Sequence, residues 1–335
     1  MLSVIIVNWN GLRYLPACID AIAPQLPADA EILLVDNGSH DGSVAWAAGD
    51  PRLRLVALPE NTGFAGGVNA GLAAARGDLL LLLNNDAFVE PGFVGALLAA
   101  ASAQPHVSAF GAVLTFAHRP DLVASAGIRL RADGVALDLW PLLPVVQLPT
   151  EPQQILGVSG GAALVRRALF DDLGGMEITF FNYLEDVDLA LRARLRGHVS
   201  IVVPAARARH IYSATGVQGS AFKQHLLGQN RIRVLVRCLP GALLPGMLPQ
   251  ILAYEIQTLV YALLTRQPAI VGGRLAALRQ LGLLLAQRRT LQRTATANGE
   301  LEQWIEPAPW PWRTLRDQHA LDAVLRARTK AVPEA

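Results

Sequence analysis

The sequence predicts an α/β fold: a Rossmann-like, mostly parallel sheet flanked by helices, with a helical appendage toward the C-terminus. Three observations carry that expectation. Short runs of Val, Ile and Leu without polar alternation, at 3–8, 31–36, 53–58 and 79–84, have the pattern of strands covered on both faces. Stretches compatible with helix, at 12–23, 42–48 and 66–75, lie between them and give the order β-α-β-α-β-α-β, for which right-handed crossovers are expected. From about 220 to 293 the periodicity is helical.

The first run follows Met1 with no basic leader and meets polar residues after only about six positions, so it reads as a buried strand and no signal peptide. Pro91, after Glu90, is placed to open a helix over 91–104, and a strand near 107–115 extends the sheet. Residues 119–156, rich in Pro and Leu and containing Trp140, read as an irregular excursion over the sheet's open edge. A strand leading into a helix then spans 157–175, and a helix in 180–197 ends at Gly197. A strand at 199–203 closes the unit near Pro204. The expected divisions are a catalytic domain at 1–218, with halves meeting at about 115, helices at 219–297, and a tail at 298–335 with a Pro/Trp run and a short helix.

The 335 residues suffice for a large core, and 52% hydrophobic against 17% charged residues is apolar enough to suggest a membrane surface nearby. A net charge of +2, without basic runs interleaved with aromatics, argues against nucleic acid. Cys18 and Cys238 are too few and too far apart for a disulfide framework or a thiolate zinc cluster, and they fit a reducing cytosol.

In open parallel sheets ligands sit outside the carboxyl ends of the strands, so the residues ending each strand come first. Asn8, Trp9, Asn10 and Gly11 end the first strand; Asp36, Asn37, Gly38 and Ser39 end the second; Asn84, Asn85 and Asp86 end the fourth. Each cluster alone is ordinary turn chemistry, but three at one edge point to a ligand. Asp86 is the natural oxygen ligand for Mg²⁺ or Mn²⁺, which takes one or two carboxylates plus substrate phosphates. Residues 60–71 carry Asn61, Gly63, Gly66 and Asn69 into a helix start that could cradle phosphate, although glycine spacing alone is a weak signal.

A second acidic cluster, Glu185, Asp186 and Asp188, opens the helix before Gly197. Leu184, Val187, Leu191 and Leu195 form its buried stripe, Glu185, Arg192 and Arg196 a solvated flank, and Asp186 aims elsewhere, roughly over Ala190 and Ala193. Helix-dipole stabilisation accounts for Glu185 and Asp188, and leaves Asp186 as a candidate general base beneath an acceptor pocket next to Phe180, Phe181 and Tyr183. Glu185, Gly160 and Trp140 are the candidates for acceptor contact. His210 is a candidate metal ligand or phosphate contact, though a lone His is as often structural.

In order and spacing, VIIVNWNG, VDNGSHDGS, ENTGFAGGVNAGL, LLLLNNDAFVEPG, SGGAALVRRALF and FFNYLEDVDLALRARLRG resemble the family-2 inverting glycosyltransferases of GT-A fold, above all their rhamnosyltransferase-like branch, over about 2–215. The resemblance implies a nucleotide-diphosphate sugar donor, with dTDP-rhamnose favoured, and a hydroxyl on a glycan or lipid-linked glycan as acceptor. It also implies that Asp36 contacts the nucleobase or ribose, that Asn61 to Asn69 line the phosphates, that Asp86 and His210 hold the metal, and that Asp186 is the base. In much of the wider family the acidic motif is Asp-x-Asp, whereas Asn84-Asn85-Asp86 carries one charge, which lowers the expected metal affinity. A sugar nucleotidyltransferase would share the platform but needs an Arg-containing glycine loop where this chain has Asn8 to Leu12, and a non-catalytic carbohydrate- or nucleotide-binding module would not need both aspartates.

Beyond Arg237, prolines 240, 245 and 249 interrupt an apolar run, so no membrane-spanning helix is expected there. Residues 266–293 hold six arginines and no acid among leucines, a pattern suited either to the inner face of the cytoplasmic membrane or to packing on the protein. Trp304, Trp310 and Trp312 fit an interfacial anchor or a cover over the domain.

Overall fold

The computed structural model describes residues 1–211, 220–296, 301–309, 321, 324 and 325. Trp310 and Trp312 lie outside these residues. The chain begins with β1 (Leu2–Asn8), α1 (Leu15–Ile22), β2 (Glu31–Asn37), α2 (Ser43–Ala48), β3 (Leu53–Leu58), α3 (Gly63–Ala74) and β4 (Leu79–Leu83). All four strands are parallel in the order β3-β2-β1-β4. Alternate residues feed two cores. Val4, Ile6, Leu81 and Leu83 face Ile19 of α1, while Ile5, Leu33, Leu80 and Leu82 face Val68 of α3. Each fully buried Leu contributes about 1.5–3 kcal/mol over an exposed one, so the four at 80–83 fix β4 centrally. Gly67 and Gly71 let α3 lie close on the sheet: a Cβ would come within 2.5 Å of Val7 and 2.4 Å of Ile5.

The helix expected from Pro91 begins later. After β5 (Ala87–Val89), Gly92 takes a left-handed conformation (φ 84°) before α4 (Phe93–Ala103), so Pro91 sits in the turn outside the helix. The sheet then continues with β6 (Val107–Phe116). The stretch 119–156 is more regular than its composition implies: it forms β7 (Arg119–Ser125) on β6, the hairpin of β8 (Ile128–Arg131) and β9 (Ala136–Asp138), and β10 (Gln153–Ile155). Next, β11 (Ala162–Arg166) inserts antiparallel between β4 and β6, followed by α5 (Arg167–Leu173) and α6 (Glu185–Leu195).

The strand expected at 199–203 also runs on. As β12 (Val199–His210) it lies parallel to β6, and a register shift between Val203 and Arg207 accommodates Pro204 as a bulge. Next come α7 (Ala221–Cys238), α8 (Leu244–Leu264), α9 (Pro268–Arg279) and α10 (Leu281–Thr294). Pro245 occupies the first turn of α8, and the helix continues through Pro249, so the prolines do not break it. Its length and apolar composition suffice for a membrane crossing, and only 17% of its apolar window is buried. The basic stretch 266–293 is bent by 64° between α9 and α10. Finally β13 (Ile305–Glu306) pairs parallel with β8, and the Arg194 guanidinium lies 4.3 Å from the ring centroid of Trp304, which packs as a cover on the domain.

Candidate active site

The ends of β1, β2, β4 and β12 and the start of antiparallel β11 fall on one edge of the sheet, which gathers the polar clusters. There the amides brace one another. Asn85 Nδ2 donates to Asn8 Oδ1 (2.7 Å), and Asn8 Nδ2 donates to Asp36 Oδ2 (3.0 Å) and Ser39 Oγ (3.3 Å). Asp36 is fully buried, and its second oxygen accepts the Ser39 N–H, so both oxygens serve the β1–β2 edge. Asn10 holds the following turn: its N–H donates to Ser39 Oγ and its Oδ1 accepts from the His40 N–H. Asn37 reaches across to the start of α3, donating to Asn61 Oδ1 (3.1 Å) and the Gly63 carbonyl (2.9 Å) and accepting the Thr62 N–H. A Cβ on Gly66 would lie 2.4 Å from the Thr62 hydroxyl, so the α3 entry tolerates only glycine in this arrangement. Asn69 stands apart: both ends of its amide bond the backbone of Met176 (2.8 Å each).

Antiparallel pairing of β5 with β12 sets Ala87 opposite His210 and so brings Asp86 to the imidazole. Asp86 Oδ1 lies 3.0 Å from His210 Nε2, and Asn84 Nδ2 lies 3.3 Å from the same nitrogen, with both Asp86 and His210 buried. Asp86 precedes β5 and caps no helix. A carboxylate oxygen beside an imidazole is a donor pair that Mn²⁺ accepts readily and Mg²⁺ less so. Among the described residues no group of three or more His, Cys, Asp or Glu could hold a metal ion, so a cation here would take its remaining ligands from phosphate and water.

The second carboxylate is tied to the same edge through β11. The Asn84 N–H donates to the Gly161 carbonyl (2.9 Å), and the neighbouring Gly160 N–H donates to Asp186 Oδ2 (3.1 Å). Gly160 is wedged between Phe64 and Asp186, where a Cβ would come 3.0 Å from the Phe64 ring. Burial pushes the Asp186 carboxyl up to about 6, the Gly160 N–H works against that rise, and the charge of Asp138 adds to it. Asp138 ends β9, two residues before Trp140, which packs partly buried against the core on this side with φ 54°. Neither Phe64 nor Asp138 stands out in the sequence.

Of the solvated flank expected on α6, only Arg196 is partly exposed. Glu185 and Arg192 are buried, because α7 covers that side: Asp188 accepts from Arg192 (2.7 Å) and from Arg237 of α7 (2.7 Å). Burial, then the Asp186 charge, raise Glu185 well above the ordinary carboxylate range, and Glu185 Oε2 has no hydrogen-bond partner among the described residues.

The approach to Asp186 is strained. Phe181, Tyr183 and Leu184 have φ of 61°, 69° and 65°, conformations that cost non-glycine residues about 1–3 kcal/mol each. One side chain holds them: fully buried Asn230 of α7 donates to the carbonyls of Phe180 (2.9 Å), Asn182 (3.0 Å) and Tyr183 (2.8 Å). Arg233 supports it, bonding Asn230 Oδ1 and the Thr179 carbonyl. Across the gap the Ala65 N–H donates to the Phe181 carbonyl, and Gly63 must be glycine because a Cβ would fall 2.2 Å from that oxygen at φ +75°. Sequence reasoning missed Asn230; the available signal was an amide on the helical stripe between Leu226 and Val234.

Comparison with known proteins bears on the family and the fold. Residues 3–174 match the family described as Glycosyl transferase family 2. The N-acetylglucosaminyl-diphospho-decaprenol L-rhamnosyltransferase of Mycobacterium tuberculosis is 31% identical over 235 residues, covering 63% of this chain and 76% of that protein. Among solved structures, a mannosyltransferase from Pyrobaculum calidifontis in complex with GDP-Man and Mn²⁺ superposes with a TM-score of 0.52 at 18% identity, covering 90% of this chain and 87% of that one. TarS of S. aureus does so with a TM-score of 0.53 at 15% identity, covering 90% and 91%. The sheet, its polar edge and these matches lead to one assignment: the chain belongs to glycosyl transferase family 2, with the GT-A fold and a rhamnosyltransferase-like character.

Proposed function

We propose that this enzyme is an inverting, metal-dependent transferase that moves rhamnose from dTDP-rhamnose to a hydroxyl of a lipid-linked glycan in cell-surface polysaccharide synthesis. The observation that carries the reading is the link from Asn84 through Gly161 and Gly160 to Asp186, which sets the Asp86–His210 pair and the second aspartate on one edge. The sugar and the acceptor class rest on the mycobacterial relative.

In this scheme the edge from Asn8 to Asn85 receives the nucleotide, and the N-terminal end of α3, at Asn61 to Gly66, faces its phosphates. Asp86 and His210 would hold Mg²⁺ or Mn²⁺, which supplies charge neutralisation for the departing diphosphate. Asp186 takes the proton from the acceptor hydroxyl as that oxygen bonds to the anomeric carbon. The bond from that carbon to the diphosphate breaks on the opposite side, and the configuration inverts. A carboxyl pushed up to about 6 is mostly ionised at neutral pH yet basic enough to accept the proton. The acceptor side comprises Gly160, Glu185 and the loop of Trp140.

The outer face of α8, with Leu252, Ile256, Leu259 and Leu263 exposed, lies near the exposed arginines 266, 279, 289 and 293 in sequence. We place this side on the anionic inner face of the cytoplasmic membrane. The test is transfer from dTDP-rhamnose, with Mn²⁺, to a soluble sugar–diphosphate–lipid acceptor, the product's anomeric configuration being read by NMR. An inverted rhamnosyl product is expected; transfer only from another nucleotide sugar, or retention, would refute the assignment.

A further inference from the structure

A cavity of about 270 Å³ is lined by residues at the start of α6, of α7, α8 and α9, and of the β8–β9 turn. Its wall is largely apolar and includes Leu184 and Val187, which bracket Glu185 and Asp186 in the chain, and Leu227, exposed enough to form a mouth. The volume is just below the roughly 300–1,000 Å³ typical of sites for drug-sized ligands, so it suits a length of hydrocarbon and no whole lipid.

The polar wall has a charge to offer. Arg231 and Arg274 both line the cavity and share one carboxylate, that of Glu255 (2.7 and 2.5 Å), while the Arg231 guanidinium also lies 4.2 Å from the Tyr254 ring centroid, so two guanidinium groups face one carboxylate among the described residues. Arg231 is only 7% exposed, and its Nη1 has no hydrogen-bond partner among the described residues. A buried N–H left in that state costs free energy unless a ligand supplies the acceptor. Tyr254 and Thr258, on the inner side of α8, complete the wall, while the outer side of the same helix is apolar and exposed. An apolar pocket with one buried cationic donor, opening beside an apolar helix face, matches an amphiphile whose chain ends in phosphate.

We infer that this cavity takes the first segment of the hydrocarbon chain of a lipid-diphosphate acceptor, with Arg231 donating to the diphosphate and the linked sugar reaching the Asp186 side of α6. The inference rests on the lipid-linked acceptor proposed above and deepens it into a subsite.

The test is calorimetric binding to the full chain, with the donor edge saturated by dTDP, of farnesyl diphosphate, farnesol and inorganic diphosphate. Farnesyl diphosphate is expected to bind about tenfold more tightly than either fragment. Leu227→Asp, at the mouth, and Thr258→Trp, which fills the cavity, should each weaken it about tenfold and leave dTDP affinity unchanged. Equal affinity for farnesyl and inorganic diphosphate would overturn the inference, as would wild-type affinity in both variants. A dimer that Leu227→Asp converts to monomer, with farnesyl diphosphate binding unaltered, would assign the cavity to a second copy and overturn it too. If farnesyl diphosphate binds as expected but no sugar is transferred to any acceptor, the cavity assignment stands and the transferase assignment falls.

Discussion

The donor edge and the segment that carries Asp186 are held in opposite ways. Asn8, Asp36, Asn37, Asn61 and Asn85 brace each other through side chains from successive β–α units, so the parallel sheet organises that edge as it forms. Phe181 to Leu184 cannot hold itself: three residues have positive φ, and the donor that steadies them comes from a helix 47 to 50 residues later. The polar edge proposed to receive the nucleotide follows from the fold's topology, while the aim of Asp186, the proposed base, needs a dedicated polar residue buried far along the chain.

That contrast can be broken experimentally. The largest effect is expected from Asp186→Asn, which should lower transfer by about 10²–10⁴ with nucleotide affinity intact in calorimetry; ordinary turnover in the variant would remove Asp186 from the scheme. Asn230→Ala comes next. It strips the donor from three carbonyls, and buried unsatisfied groups cost about 1–3 kcal/mol, so the melting temperature and turnover should fall while nucleotide affinity holds. Equal loss of nucleotide binding would show that the two regions are not separable.

On the other side of the comparison, Asp86→Asn should weaken nucleotide binding about tenfold in saturating Mn²⁺ and leave metal-free binding unchanged. Identical titrations with and without the ion would move the metal elsewhere. The smallest effect is on pH. Because burial raises the Asp186 carboxyl to about 6, its basic form is lost as pH falls through that value, and transfer should drop to half its plateau near pH 6. In Asp186→Glu the midpoint should shift, and a midpoint unmoved by that change would assign the titration to another group.

Much of the donor half was legible in the sequence because its strands are unbroken apolar runs and its polar residues fall at their ends. The stretch 119–156 was not, since β8 to β10 are short, several residues are exposed, and the pairing depends on distant strands: β7 on β6, β10 on β12 and β8 on β13. Pro204 masked the continuation of β12, because a bulge admits proline where a regular ladder would not. Asp186 was visible through its odd position on the α6 wheel, but the burial of Glu185 and Arg192 was not, because α7 covers a face that a lone helix would leave to water. Asn230 belongs to no local motif, and its meaning exists only across the chain.

The pairing of β13 with β8 has a temporal consequence during synthesis. Ile305 sits opposite Leu130, so the three-stranded sheet cannot close until some 175 further residues have been added, roughly 9–35 s at bacterial or eukaryotic elongation speeds. Until then the β8–β9 hairpin emerges from the ribosome with an open edge, and chaperone occupancy on nascent chains should peak in that interval and decline once Glu306 has left the exit tunnel.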